Sequence, residues 1–123
     1  MEHPRVLLVE DDDAVAKALT LRLQTKGFEV MPAADGEAAM QAVTESAPDI
    51  LLLDINLPGR DGFDVATHVR SRLDQLPIVF ITASRNTELR TRAEQFERSW
   101  FVEKPFTSAY LIDVVRQAAA LAY

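Results

Sequence analysis

Cysteine is absent from the 123-residue chain. Disulfides, thiolate zinc sites and a cysteine nucleophile are therefore excluded. Glycine and proline are sparse, at four and six residues. No segment is compositionally biased, so nothing points to disorder or low complexity. No apolar run approaches the roughly 20 residues that a bilayer crossing needs. No segment has the charged start, apolar centre and small-residue cleavage site of a signal peptide. The chain is therefore expected to be soluble and cytoplasmic, with no membrane partner. Basic residues are in deficit, with 13 Lys and Arg against 19 Asp and Glu and a net charge of -6. Wrapping nucleic acid needs clustered Lys and Arg, so no direct nucleic-acid binding is expected. The acidic excess has two readings. One is a solvated acidic surface, the ordinary case. The other is a concentration of part of that charge in one cation site, and the order of the motifs decides between them.

What is present suits one domain. Hydrophobic residues make up 48% and charged residues 26%, ordinary globular levels. A chain of this size can bury about two-thirds of its extended surface. Short apolar runs alternate with helical periodicity. Arg5 to Val9 is a continuous apolar run, as in a strand buried on both faces. A helix is predicted from about Asp13 to Lys26, with Val15, Ala18, Leu19 and Leu23 inward and Gly27 ending it. Phe28 to Ala33 reads as a second strand. Asp35 can cap a helix that runs to about Ser46, with Ala39, Met40 and Val43 inward.

Ile50 to Leu53 is the most apolar run and ends at Asp54; the loop Asn56 to Gly62 follows. A third helix is predicted from Phe63 to about Leu73, and a fourth strand from Pro77 to Ile81, ending at Thr82. The next helix, Thr87 to Phe96, has a thin apolar seam of Leu89, Ala93 and Phe96. Trp100 to Glu103 reads as a fifth strand closed by Lys104-Pro105. A last helix starts near Ser108, with Leu111, Val114, Val115, Ala118, Leu121 and Ala122 at helical spacing. This alternation predicts an α/β fold with a parallel sheet and helices on both faces.

The chemistry-bearing residues stand at the carboxyl ends of the strands. Glu10-Asp11-Asp12-Asp13 follows the first strand, Asp54 ends the third, Thr82 the fourth and Lys104 the fifth. In open parallel sheets the binding crevice lies at those ends. Carboxylates forced together repel unless a cation joins them. Magnesium suits such a set, because it takes about one or two protein carboxylates with water and phosphate oxygens. Asp12 or Asp13 has the plainer role of capping the first helix. Asp54 lies beyond a wholly apolar strand, where capping does not explain it. A carboxylate oxygen can attack phosphorus to form an acyl phosphate. Lys104 and Thr82 can then contact phosphoryl oxygens, and positioning with charge stabilisation is most of what this transfer needs. Taken singly, Lys104 reads as a surface lysine and Thr82 as a β-former.

With these residues in this order, the chain resembles the receiver domains of two-component response regulators. The matching segments are Val6-Leu-Leu-Val-Glu-Asp-Asp, Leu51-Leu-Leu-Asp-Ile-Asn-Leu-Pro-Gly, Ile81-Thr-Ala and Glu103-Lys-Pro-Phe. The resemblance covers essentially the whole chain. It implies a flavodoxin-like, doubly wound sheet of five parallel strands in the order 2-1-3-4-5, with five helices, as a single receiver domain over residues 1–123. It implies that Asp54 is phosphorylated by a sensor histidine kinase or a phosphotransfer protein. Glu10, Asp11, Asp54 and the backbone carbonyl of Asn56 would hold Mg2+. Thr82 and Lys104 would contact the phosphoryl group, and Phe101 would be the aromatic switch residue. The face of helix 4, strand 5 and helix 5 would signal to an output domain or partner protein, or form a homodimer. No enzyme activity is implied beyond the domain's own phosphorylation and dephosphorylation.

Some features depart from the family pattern. Glu97-Arg98 stand where many receivers carry Gly-Ala, which alters the junction before the fifth strand. Trp100 is read as a partner-binding residue if exposed and as packing if buried. Asn56 and Ser84, two residues beyond Asp54 and Thr82, flank the expected water path and are expected to set phosphoryl lifetime, with Ala83 small for access. Rival readings exist. A haloacid-dehalogenase-type phosphatase would need a second Asp where Asn56 stands. A flavin binder would need a phosphate-binding Ser/Thr/Gly cluster that the loops lack. A receiver-like binding module without phosphorylation is a third.

Overall fold

The computed structural model describes residues 3–121. Five parallel strands form one sheet: β1 (Arg5–Val9), β2 (Glu29–Ala33), β3 (Ile50–Asp54), β4 (Ile78–Thr82) and β5 (Ser99–Glu103). Their spatial order is β2-β1-β3-β4-β5. Five helices alternate with them: α1 (Asp13–Thr25), α2 (Gly36–Glu45), α3 (Gly62–Arg72), α4 (Thr87–Glu94) and α5 (Ser108–Ala120). This is the flavodoxin-like, doubly wound order that the resemblance implied, built on the parallel sheet with helices on both faces that the sequence pattern predicts.

Successive strand residues face opposite sides of a sheet, which divides the core in two. Val6, Leu8, Ile50, Leu52, Val79, Ile81 and Val102 pack under α1 and α5. Leu7, Val9, Leu51, Leu53, Ile78 and Phe80 pack under α2, α3 and α4. The three central strands are buried along nearly their whole length, so their continuous apolar runs need no alternation. Each fully buried Leu, Val or Ile contributes about 1.5–3 kcal/mol of transfer free energy.

Every helix has a side-chain N-cap. Asp12, Asp35, Asp61, Asn86 and Thr107 each accept from a backbone N–H of the first turn, satisfying donors that lack helical partners. The end of α1 is a Schellman closure: Phe28 N–H reaches Leu23 C=O and Gly27 N–H reaches Gln24 C=O, both over 3.1 Å.

Four expectations need correction. Ala18 is exposed, and Ala16 packs inward in its place. At about 100° per residue, Ala16 lies beside Leu23 while Ala18 falls outside the Val15-Leu19-Leu23 stripe. Leu121 is 45% exposed, because it is the C-cap after the last helical residue, Ala120; Ala122 lies outside the described residues. α4 ends at Glu94, and Phe96 reaches the core from the turn after it. The segment expected to be a loop from Asn56 contains a two-stranded hairpin, Asn56–Leu57 against Arg60–Asp61. Pro58 and Gly59, with φ +73° at Gly59, give the residue order of a type II turn.

Candidate functional site

The apolar strands deliver their polar terminal residues to one end of the sheet. By strand alternation, Glu10, Asp54 and Lys104 continue the side that faces α1 and α5, while Thr82, two residues beyond Phe80, continues the side under α4. Carboxylate oxygens of Glu10, Asp11 and Asp54 lie within 4.8 Å of one another. Glu10 and Asp54 are buried and Asp11 is exposed. Lys104 Nζ bridges the buried pair, donating to Asp54 Oδ2 over 2.9 Å and to Glu10 Oε1 over 3.1 Å. The other Asp54 oxygen, Oδ1, accepts the Asn56 backbone N–H over 2.8 Å. Both oxygens of Asp54 are thus oriented by protein donors.

Burial raises the pKa of Glu10 above the ordinary carboxylate value; the neighbouring Asp54 charge adds to this, while the Asp12 N–H and Lys104 oppose it. Burial alone would lower the pKa of Lys104, but its hydrogen bonds to Asp54 and Glu10 outweigh that and raise it. One ammonium group faces three carboxylates, so negative charge is left in excess. An all-oxygen, carboxylate donor set with this imbalance fits a hard divalent cation such as Mg2+.

The acidic run after β1 divides by role. Asp12 caps α1 through Ala14 and Val15 N–H. Asp13 pairs with Lys17 at the surface. Only Glu10 and Asp11 join Asp54.

Thr82 is fully buried. Its Oγ1 accepts from Asn56 Nδ2 over 3.2 Å and from Ser84 N–H over 3.0 Å, which ties β4 to the loop after Asp54. Gly62 permits that loop its path. A Cβ there would lie 2.7 Å from Ile55 Cα and 2.8 Å from Ile55 O, so α3 can start against the loop after Asp54 only at a residue without a side chain.

By the same alternation Phe101 faces the side of the sheet away from Glu10, Asp54 and Lys104. It lies half-buried on the α4 side, paired in register with Phe80. The Arg90 guanidinium sits 4.7 Å from its ring centroid and donates to Glu103 over 3.3 Å. A second clasp joins α4 to the loop after Asp54 and the start of α3. Arg92 sits 4.2 Å from the Phe63 ring centroid and donates to Asp61 Oδ2 over 3.3 Å. The sequence expectations assigned Arg90 and Arg92 no role. Their spacing of two residues, on a helix with little apolar surface, was the available signal. Trp100 is half-buried against the α1–α5 cluster, so it is mainly a packing residue.

At the foot of β5, Arg98 adopts φ +54°. The left-handed region is unfavourable for a residue with a Cβ by about 1–2 kcal/mol. Arg98 Nε donates to Gln75 O over 2.8 Å and its Nη2 to Leu121 O. Arg70 reaches Leu76 O, Glu97 O and Arg98 O. Where the resemblance implied small residues, arginine hydrogen bonds hold this junction.

Residues 6–116 match the family described as response regulator receiver domain. The chain is 48% identical over 86 residues to the transcriptional regulatory protein AfsQ1 of Streptomyces coelicolor, covering 70% of this chain and 37% of that protein. It is 36% identical over 113 residues to the transcriptional regulatory protein PrrA of Mycobacterium tuberculosis, covering 92% and 48%. The chain thus spans about half or less of the length of these relatives. The crystal structure of the signal receiver domain of a putative Luxo repressor protein from Vibrio parahaemolyticus superposes with a TM-score of 0.90 at 27% identity, covering 98% of this chain and 92% of that one. The order of the strands, the sequence match over nearly all of the chain and this superposition agree: the chain belongs to the response regulator receiver domain family of two-component signalling.

Proposed function

We propose that Asp54 is the phosphoacceptor of this receiver domain, which spans residues 1–123. The donor is a phosphohistidine on a sensor histidine kinase or a phosphotransfer protein. The observation that carries this reading is the hold on Asp54, whose two oxygens accept from Lys104 and from the Asn56 N–H beside Glu10 and Asp11. An Asp54 oxygen attacks phosphorus as the P–N bond to the donor imidazole breaks, and the bonding pair stays on the ring nitrogen. Lys104 and the Thr82 hydroxyl then contact oxygens of the transferred group. Glu10, Asp11, Asp54 and the Asn56 carbonyl would hold Mg2+, which supplies charge neutralisation for the phosphoryl oxygens.

The new dianion offers acceptors to Thr82 and Lys104, and their displacement repacks β4 and α4. Output passes through the face of α4, β5 and α5, with Phe101 within it, to an attached domain, a partner protein or a second copy. The role is a signalling switch in the cytoplasm rather than an enzyme with an external substrate. Asn56 and Ser84 set the lifetime of the phosphoryl group, and Asn56→Arg is expected to change it. Asn56 also argues against an aspartate-nucleophile phosphatase, since its amide donates to Thr82 where such an enzyme needs an acid.

Incubation with acetyl phosphate, with and without magnesium, followed by intact-mass measurement tests the reading. A magnesium-dependent phosphoryl adduct is expected on the wild type and none on Asp54→Asn. An adduct that persists in Asp54→Asn would place the acceptor at another residue, and no adduct on the wild type would leave a phosphorylation-independent binding module as the better account.

A further inference from the structure

The Thr82 hydroxyl has a defined polarity. A hydroxyl offers one proton and two acceptor lone pairs. Both acceptor positions of Thr82 Oγ1 are engaged, one by the Asn56 side-chain amide at 3.2 Å and one by the Ser84 N–H at 3.0 Å. The O–H is what remains for an incoming group. The side chain is fully buried, so water does not compete freely for it. Asn56 itself is exposed at the mouth of the site, and its backbone N–H holds Asp54 Oδ1. One residue therefore touches both the acceptor carboxylate and the hydroxyl.

We propose that Asn56 is a positioning residue that fixes the Thr82 hydroxyl as a proton donor toward an anionic phosphoryl oxygen. This rests on the phosphoacceptor reading and names how part of that site is prepared. It differs from a role on the water path, because Asn56 here acts through Thr82. Without the amide, one lone pair of Oγ1 is free. The hydroxyl can then rotate to another pairing, and binding must first reorient it. A neutral hydrogen bond of this kind contributes about 0.5–1.5 kcal/mol net, so losing it should weaken anion binding roughly three- to tenfold.

A double-mutant cycle tests the coupling. Beryllofluoride, a phosphoryl mimic, is titrated calorimetrically in magnesium into the wild type, Asn56→Ala, Thr82→Ala and the double variant. Asn56→Ala is expected to weaken binding about three- to tenfold in the wild-type background. It should change binding less than about twofold once Thr82 is alanine. In Thr82→Ser, which keeps a hydroxyl, the full factor should return. Equal losses in all three backgrounds would overturn the proposal while leaving the phosphoacceptor reading standing. Absence of binding by the wild type would overturn both. A second readout needs neither metal nor anion: in the metal-free protein, the Asn56 side-chain amide resonances should shift and exchange faster in Thr82→Ala. Unchanged resonances would overturn the proposal.

Discussion

The Arg90 guanidinium lies 4.7 Å from the centroid of the Phe101 ring and reaches Glu103 on the same strand. Two residues on, Arg92 makes the corresponding pair of contacts with Phe63 and Asp61. α4 buries only Ala93 fully, so these clasps are a large part of what holds it. An exposed cation–π contact contributes about 0.5–1 kcal/mol, and an exposed ion pair about 0.2–1 kcal/mol. Replacing both arginines with alanine is expected to speed amide exchange across Thr87–Glu94 by about tenfold or more, while β1 and β3 keep their protection. Hydrogen exchange read by mass spectrometry checks this. A uniform loss across the sheet, or no change in α4, would contradict the clasp.

Lys104 is the single ammonium between two buried carboxylates. Lys104→Met leaves Glu10 and Asp54 facing each other without it. Stripping one partner from a buried ion pair is strongly destabilising, and here the open mouth beside Asp11 softens the effect. Without divalent cation, a loss of about 1–3 kcal/mol in urea unfolding is expected. Saturating magnesium should recover part of that loss and raise the melting temperature of Lys104→Met more than that of the wild type. Equal magnesium shifts in the two proteins would count against a shared charge-balancing role.

The loop after Asp54 depends on Gly62 for its path. A methyl group there would meet the backbone of Ile55, the residue after Asp54. Backbone cannot swing aside as a flexible side chain can. Gly62→Ala is expected to lose about 2 kcal/mol or more in denaturant unfolding. It should also weaken beryllofluoride binding, since Ile55 carries Asp54 and Asn56 on either side. Unaltered stability would mean that α3 can shift as a rigid body.

How much of this was legible in the sequence follows from the range of the forces involved. The strands rested on apolar runs such as Ile50 to Leu53, a local signal that tertiary packing reinforces, while their order in the sheet came from the family resemblance. The residues at their carboxyl ends were legible for the same reason, because strand ends locate them. Contacts between side chains from distant elements were not. Asn56 to Thr82 spans 26 positions and Lys104 to Glu10 spans 94, and no periodicity encodes either. The hairpin after Asn56 was missed because two-residue strands leave too little alternation to detect, although Pro58-Gly59 carried its turn signal. The helix faces were misread at Ala18, where a few tens of degrees decide burial, and at Leu121, which falls one residue past the end of α5.

Arg98 offers the sharpest separation of backbone strain from side-chain anchoring. Its left-handed backbone is unfavourable, yet its guanidinium ties the α3–β4 connection to the end of α5 through Gln75 O and Leu121 O. Two substitutions divide these effects. Arg98→Ala keeps the strain and loses the anchors, and an expected loss of about 1–3 kcal/mol follows. Arg98→Gly loses the same anchors but relieves the strain, so it should be more stable than Arg98→Ala by about 1 kcal/mol. Chemical denaturation of the three proteins checks the order, with wild type highest, glycine next and alanine lowest. Glycine above wild type would mean that the anchors contribute less than the strain removes. The junction would then be held by Arg70, whose bonds to Leu76 O, Glu97 O and Arg98 O do not depend on the residue type at position 98.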